Sequence, residues 1–157
     1  MIELELVGVR VELPHNQPIV LLKERSGPRF LPIWIGAVEA TSIAFALQGV
    51  VTARPMTHDL MRDLLEHLHV NVDRIVVTEL REGTFYAEIQ MTADGESVVV
   101  SSRPSDAIAL AVRATVPIYA EESVLDDAGI EIEDEEEEEV ERFKAFLDQV
   151  TPEDFQQ

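Results

Sequence analysis

Two short stretches combine side chains able to handle a negatively charged group. One is Arg54-Pro55-Met56-Thr57-His58-Asp59, the other Ser101-Ser102-Arg103-Pro104-Ser105-Asp106. Each sets an arginine just ahead of a helix N-terminus, where unpaired backbone N–H groups and the helix dipole attract anions. Each also sets an aspartate in the first turn. The chemistry on offer is donors for a phosphate, with a carboxylate to hold a metal ion or orient a water. His58 adds a titratable ring in a first turn, where the positive end of the dipole favours the neutral base.

A plainer reading covers the same residues. Asp59 and Asp106 stand where any helix welcomes an acid, for about 0.3–1 kcal/mol. Thr57 and Ser102 or Arg103 stand at cap positions, and Arg103 has Asp106 within reach as an ion-pair partner. A lone histidine such as His58 is more often a surface or hydrogen-bonding residue. Trp34 and Glu39 flank Gly36, whose missing side chain permits a close backbone approach. The favoured reading makes Trp34 a core residue and Glu39 a first-turn acid. His67 and His69 are two apart on a helix and point in different directions, Asp63 and His67 have the spacing of a surface pair, and His15 sits in a turn. The chain has no phosphate loop, GxGxxG, HExxH, GxSxG elbow or Cys/His zinc spacing. It also lacks the basic stripe with interleaved aromatics of single-strand binders.

The elements that position these residues are legible from hydrophobic period. Ile2 to Glu12 alternates as a half-buried strand, Ile19 to Leu22 is a short apolar strand, and Phe30 to Ile35 a third, with Pro32 marking an edge or bulge. Pro14 to Pro18 and Ser26 to Pro28 are turns. After Gly36 the period changes: Ala37 to Gln48 reads as a helix stopped by Gly49. A second helix begins near Thr57 with Leu60, Met61, Leu64, Leu65 and Leu68 as its stripe. Strands follow at Asp73 to Leu80, Thr84 to Met91 and Ser97 to Ser101, then a helix at Pro104 to Thr115. Each half thus reads strand, strand, strand, helix. A βββα duplication would give this order, and so would two unrelated buried helices with similar alanine-rich strings. Those small residues mark the two helices as central. The fold class is α+β: one compact domain with a mixed sheet around central helices. Residues 1–130 form the domain, 131–139 an acidic loop, and 140–157 a helix and tail docked back through Phe143 and Phe146.

Of 157 residues, 46% are hydrophobic, which suits one compact domain and excludes general disorder. No apolar run approaches a membrane span, no signal peptide precedes the first strand, and no cysteine is present; a cytoplasmic location is expected. The net charge is −19, but twelve of the acids fall between Glu121 and Glu139, leaving −7 over the rest. Ten of the twelve bases are arginine, which grips phosphate or carboxylate with a planar fork. An anion site inside an acidic protein fits this balance; a broad nucleic-acid surface does not.

Several strings, taken in order, are similar to those of a known family. These are Leu31-Pro32-Ile33-Trp34-Ile35-Gly36 with Glu39-Ala40, then Arg54 to Leu60, Gly83 to Ala87, Ser102 to Ala111, and Pro117-Ile118-Tyr119. Together they resemble the bifunctional nucleases of bacteria and plants. The resemblance implies a compact mixed α+β domain, usually self-associated, and nuclease activity on RNA and DNA described for some members. Carried over by motif, His58, Asp59, Arg103, Ser105 and Asp106 form the polar cluster, with Arg54 and Glu39 nearby. The expectation is a metal-assisted phosphodiesterase. In it Asp59 and Asp106 hold Mg²⁺ or Mn²⁺ directly or through water, His58 is general base or orients the attacking water, and Arg54 and Arg103 neutralise the charge built on phosphorus oxygens. A homo-oligomer, most simply a dimer, is expected. The alternative is a non-catalytic oligomeric module binding a small anion or protein partner, which the −19 charge favours. A third reading makes the acidic segment a docking tail for a basic partner.

Overall fold

The computed structural model describes residues 1–12 and 17–132. In chain order they form β1 (Ile2–Glu12), β2 (Gln17–Glu24), β3 (Arg29–Trp34), α1 (Ala37–Gln48), α2 (Thr57–His67), β4 (Val70–Arg81), β5 (Thr84–Ala93), β6 (Glu96–Ser102), α3 (Pro104–Ala114), β7 (Ile118–Ala120), α4 (Glu122–Ala128) and β8 (Ile130–Glu131). The strands make one eight-stranded sheet in the order β6-β5-β4-β7-β1-β2-β3-β8. β4 and β7 run parallel, and the other neighbours run antiparallel. The α+β architecture with a mixed sheet is therefore as expected. Two meanders, β1-β2-β3 and β4-β5-β6, lie on either side of β7, and each leads into a buried helix, α1 or α3.

The small residues of those helices explain their place. Ala40, Ile43 and Ala44 of α1, with Ala107 to Ala111 of α3, are almost wholly buried, and the two helices pack on each other. Alanine lets a helix be covered on several sides at close range. Gly49 closes α1 at φ 67°, a left-handed value that costs glycine nothing. α3 stops one residue earlier than the pattern suggests, because Thr115 itself turns left-handed at φ 57°, ahead of Pro117.

Elsewhere the elements depart from the periodic reading. β2 and β4 extend further than their apolar runs, since backbone pairing continues through flanking polar residues. Pro32 pairs with Leu21, and β8 covers only Arg29 and Phe30, so the proline sits on an open stretch of edge. The stripe of α2 is split. Met61 and Leu65 pack against the core, whereas Leu60, Leu64 and Leu68 are half or more exposed, because α2 rests along one side only, on α3 and β4. β7 and α4 were not legible. α4 buries Val124 and Leu125 and packs against β3 and β4, strands with β7, β1 and β2 between them. Arg29 ties α4 down through Glu122 at 2.9 Å and Asp126 at 3.1 Å, while also pairing with the buried Glu24. Ile130–Glu131 forms an edge strand where the acidic loop was expected to begin. The rest of that loop, the C-terminal helix and residues 13–16 of the first turn lie outside the described residues. Among the described residues no helix is long and apolar enough to cross a membrane.

The seam between α1 and α3 should dominate stability. Leu110→Ala is expected to cost about 2–5 kcal/mol, read as a lower midpoint at unchanged slope in urea unfolding.

Candidate active site

Three helices begin in this region, and none is capped by a side chain of its own N-cap residue. Gly36, Met56 and Arg103 occupy the N-cap positions of α1, α2 and α3, all with extended backbone. Thr57 and Ser102 are therefore not the caps their sequence positions suggest. Pro104 opens α3 at a position where its missing N–H costs nothing. The polar side chains of these first turns engage one another instead.

His58 is the hub. The residue is buried, and its Nδ1 lies 2.6 Å from Ser42 Oγ in α1. Its Nε2 lies 2.8 Å from Asp106 Oδ1 in the first turn of α3. Burial alone would raise the Asp106 carboxyl, but hydrogen bonds from Arg103 and His58 outweigh it and hold the group below the ordinary carboxylate range. An ionised Asp106 only accepts, so Nε2 carries a proton, while Nδ1 shares a hydrogen bond with Ser42 Oγ. Both ring nitrogens are thus taken, and the side chain is only 9% exposed. This arrangement does not suit the expected general base. His58 fixes where Asp106 stands rather than meeting a water itself.

Arg103 faces outward, 64% exposed. Its Nε donates to Asp106 Oδ2 at 2.9 Å and one Nη to Oδ1 at 3.2 Å, while the other Nη donates to Glu39 Oε1 at 3.0 Å. A guanidinium has five donors, so one N–H remains on each terminal nitrogen. Its two carboxylate partners keep it firmly protonated, Asp106 contributing most and Glu39 next. Glu39 reaches it by folding over Gly36, where any Cβ would run into the Glu39 carboxylate. Arg103 borders a cleft of about 650 Å³, whose walls include Trp34, Gly36, Gly83, Phe85 and Ser105. Trp34 is half exposed there, contrary to its reading as core. The two-residue period of β3 buries Ile33 and Ile35 and turns Trp34 to the other face.

Asp59 belongs to a different group. Its Oδ1 accepts from Arg113 Nε at 2.7 Å and its Oδ2 from the Met56 backbone N–H at 3.1 Å, the returning half of a capping box. Burial again pushes upward, and the Arg113 and Met56 bonds prevail, so this carboxyl too titrates low. Arg113, 5% exposed, also donates to the carbonyls of Ala109 and Ser42. Asp59 and Arg113 border a second cleft of about 510 Å³ with Arg62 and Asp63. Arg54 is exposed in the loop before α2 and is not among the residues bordering either cleft. His67 bonds the Asp63 carbonyl, and the Asp63 carboxylate pairs with Arg62 instead.

All four carboxylate oxygens of Asp59 and Asp106 already accept from N–H groups, so a divalent ion at either aspartate would share that carboxylate with its present donors. Among the described residues no three His, Asp or Glu side chains gather as a metal-binding cluster.

The profile of the bifunctional nuclease domain matches residues 20–133. The chain belongs to this family. The matched span includes both arginine-led stretches, the whole His58 network and the Trp34 cleft apart from Gln17 and Pro18. An uncharacterised protein of Mycobacterium tuberculosis is 49% identical over 162 residues, covering 98% of this chain and 97% of that protein. Bifunctional nuclease 2 of rice (Oryza sativa subsp. japonica) is 29% identical over 124 residues, covering 75% of this chain but 38% of the rice protein. Bifunctional nuclease 2 of Arabidopsis thaliana is 27% identical over 124 residues, covering 77% and 37%. The plant proteins thus contain the bifunctional nuclease domain within chains well over twice its length.

Within this domain the structure brings together four of the residues singled out by sequence, His58, Asp106, Arg103 and Glu39, and sets Ser105 beside them on the cleft wall. It separates Asp59 and Arg54 from them. Ser42 and Arg113 went unread: one lies mid-helix among small apolar residues, and the other reads as an ordinary last-turn cation.

The low titration of Asp106 and Asp59 makes stability pH-dependent with a definite sign. Carboxyls depressed in the folded state stabilise fully above their ordinary value and lose that contribution as pH falls through the depressed range. Thermal melts of the bifunctional nuclease domain are expected to drop below about pH 4. In Asp106→Asn the acid-side drop should be shallower than in the parent.

Proposed function

We propose that the domain hydrolyses phosphodiester bonds in flexible, single-stranded RNA or DNA, with the scissile phosphate seated on Arg103. The observation that carries this reading is the guanidinium held on two carboxylates at the lip of a cleft, with two N–H donors left over. Family membership supports a nuclease class. Preorganised donors act where charge develops, here on the non-bridging oxygens as the attacking oxygen bonds to phosphorus and the ester oxygen departs. Asp106, part-exposed beside Arg103, orients the attacking water; being weakly basic, it leaves the water's proton to solvent. His58 and Ser42 are positioning residues for Asp106, and Glu39 is one for Arg103. Ser105 supplies a further hydroxyl on the cleft wall. No step is routed through a metal ion.

A second reading, a non-catalytic module that binds a small anion, is favoured by the arginine ion pairs that already engage Asp106 and Asp59 and by the −19 charge. Cleavage of single-stranded RNA and DNA by highly purified protein separates the two. Arg103→Ala is expected to lower turnover about 10²–10³-fold. Arg103→Lys should restore only part of it, since an ammonium cannot span two carboxylates and a phosphate. Asp106→Asn should also lose turnover, with circular dichroism unchanged. A parent that cleaves nothing, with Mg²⁺ or Mn²⁺ supplied, leaves the anion-binding module. Cleavage abolished by EDTA would show that the reaction needs a divalent cation.

A further inference from the structure

We propose that the Trp34–Phe85 cleft is a stacking site for one unpaired nucleobase, and that this base contact, rather than backbone charge, supplies most of the domain's affinity for nucleic acid. The inference rests on the nucleic-acid reading above and names what that substrate is recognised by.

The electrostatics of the site point this way. Arg103 is accompanied by the carboxylates of Asp106 and Glu39, so these three side chains carry a formal charge of −1. The starts of α1 and α3 return about half a unit each, which brings the site close to neutral. The rest of the chain is acidic. A long polyanion therefore gains little from this surface, and a single phosphate on Arg103 is positioned more than it is attracted. Binding strength has to come from contacts indifferent to charge.

The cleft offers one. Trp34 is 50% exposed at the end of β3, with Phe85 at the start of β5 on the same cleft. A half-exposed indole is a costly surface to leave in water, and a flat aromatic ring is what it pairs with best. Gly83 borders the same cavity at a turn with φ 79°, and nothing lies within 4 Å of where its side chain would stand, which leaves that wall open to a planar group. A cavity of about 650 Å³ lies within the range of small-molecule sites and has room for a nucleotide. Arg103 on the same wall is placed for the phosphate of that nucleotide. A base enters such a cleft only after leaving its stack, so duplexes are excluded by geometry. Selection among the four bases should be slight, because each presents a π face.

Trp34 is the only tryptophan, so its fluorescence reports the contact directly. The probes are an eight-nucleotide oligothymidylate and an abasic deoxyribose-phosphate oligomer of equal length, with strand integrity checked on a gel after each titration. The oligothymidylate is expected to quench the emission and the abasic strand not to. The anisotropy of a labelled oligothymidylate should show binding weakened about 5- to 100-fold in Trp34→Ala. Trp34→Tyr should recover most of it. Raising salt from 50 to 200 mM should weaken binding less than tenfold, against the 10³–10⁵-fold typical of proteins making many phosphate contacts. Equal binding of both strands, or Trp34→Ala binding like the parent, would overturn the stacking site while leaving phosphodiester cleavage standing. Quenching by oligothymidylate without any cleavage would support the stacking site and remove the hydrolase.

Discussion

Everything at the site hangs on one buried ring. His58 comes from α2, shares a hydrogen bond with Ser42 of α1 and gives one to Asp106 of α3. A buried imidazole without partners would be expensive, so the three helices are held in the one mutual placement that satisfies both nitrogens. Asp106, fixed in this way, fixes Arg103, and Glu39 completes the bracket from the first turn of α1. Among the described residues every buried polar side-chain atom is paired. The order therefore runs from the interior outward: a buried hydroxyl, a buried ring, a part-exposed carboxylate and an exposed guanidinium.

The two aspartates show how neighbouring positions with the same local signal diverge. Both sit in first turns and both titrate low because arginine hydrogen bonds overcome the cost of burial. Asp59 faces Arg113, which is buried and also turns both terminal nitrogens toward backbone carbonyls. That pair welds α2 to the far turn of α3, with its arginine only 5% exposed. Asp106 faces Arg103, which keeps donors in hand at a cleft. The difference is one of burial of the arginine partner, and it separates a clamp from a site.

Much of this was written in the local sequence. The period-two strands, the alanine-rich helices and the glycine stop after Gln48 follow from side-chain patterning and turn chemistry, and the structure keeps them. β7 and α4 escaped for opposite reasons. Ile118 to Ala120 is too short to show a period, and Glu121 to Asp127 carries so much charge that two buried residues, Val124 and Leu125, are hidden in it. For the site, first-turn position was enough to single out His58, Arg103, Asp106 and Glu39. The Arg103–Asp106 pair was legible from its spacing, but the partners across helices were not: Ser42 reaches His58, and Arg113 reaches Asp59, only through packing of α1, α2 and α3. Trp34 was misjudged because a large apolar side chain suggests interior, whereas strand alternation beside Ile33 and Ile35 assigns it outward.

The pairs that build the cluster are far apart along the chain: 48 residues between His58 and Asp106, and 64 between Glu39 and Arg103. Local order cannot assemble it, because closing such loops waits on the sheet and the helix seam. A nascent polypeptide that has emerged only as far as Ser102 holds Glu39, Ser42 and His58, yet has neither of the residues they close upon. Synthesis itself thus times the cluster's appearance: it arises only once α3 has left the ribosome and docked on α1, well after most of the domain has been made.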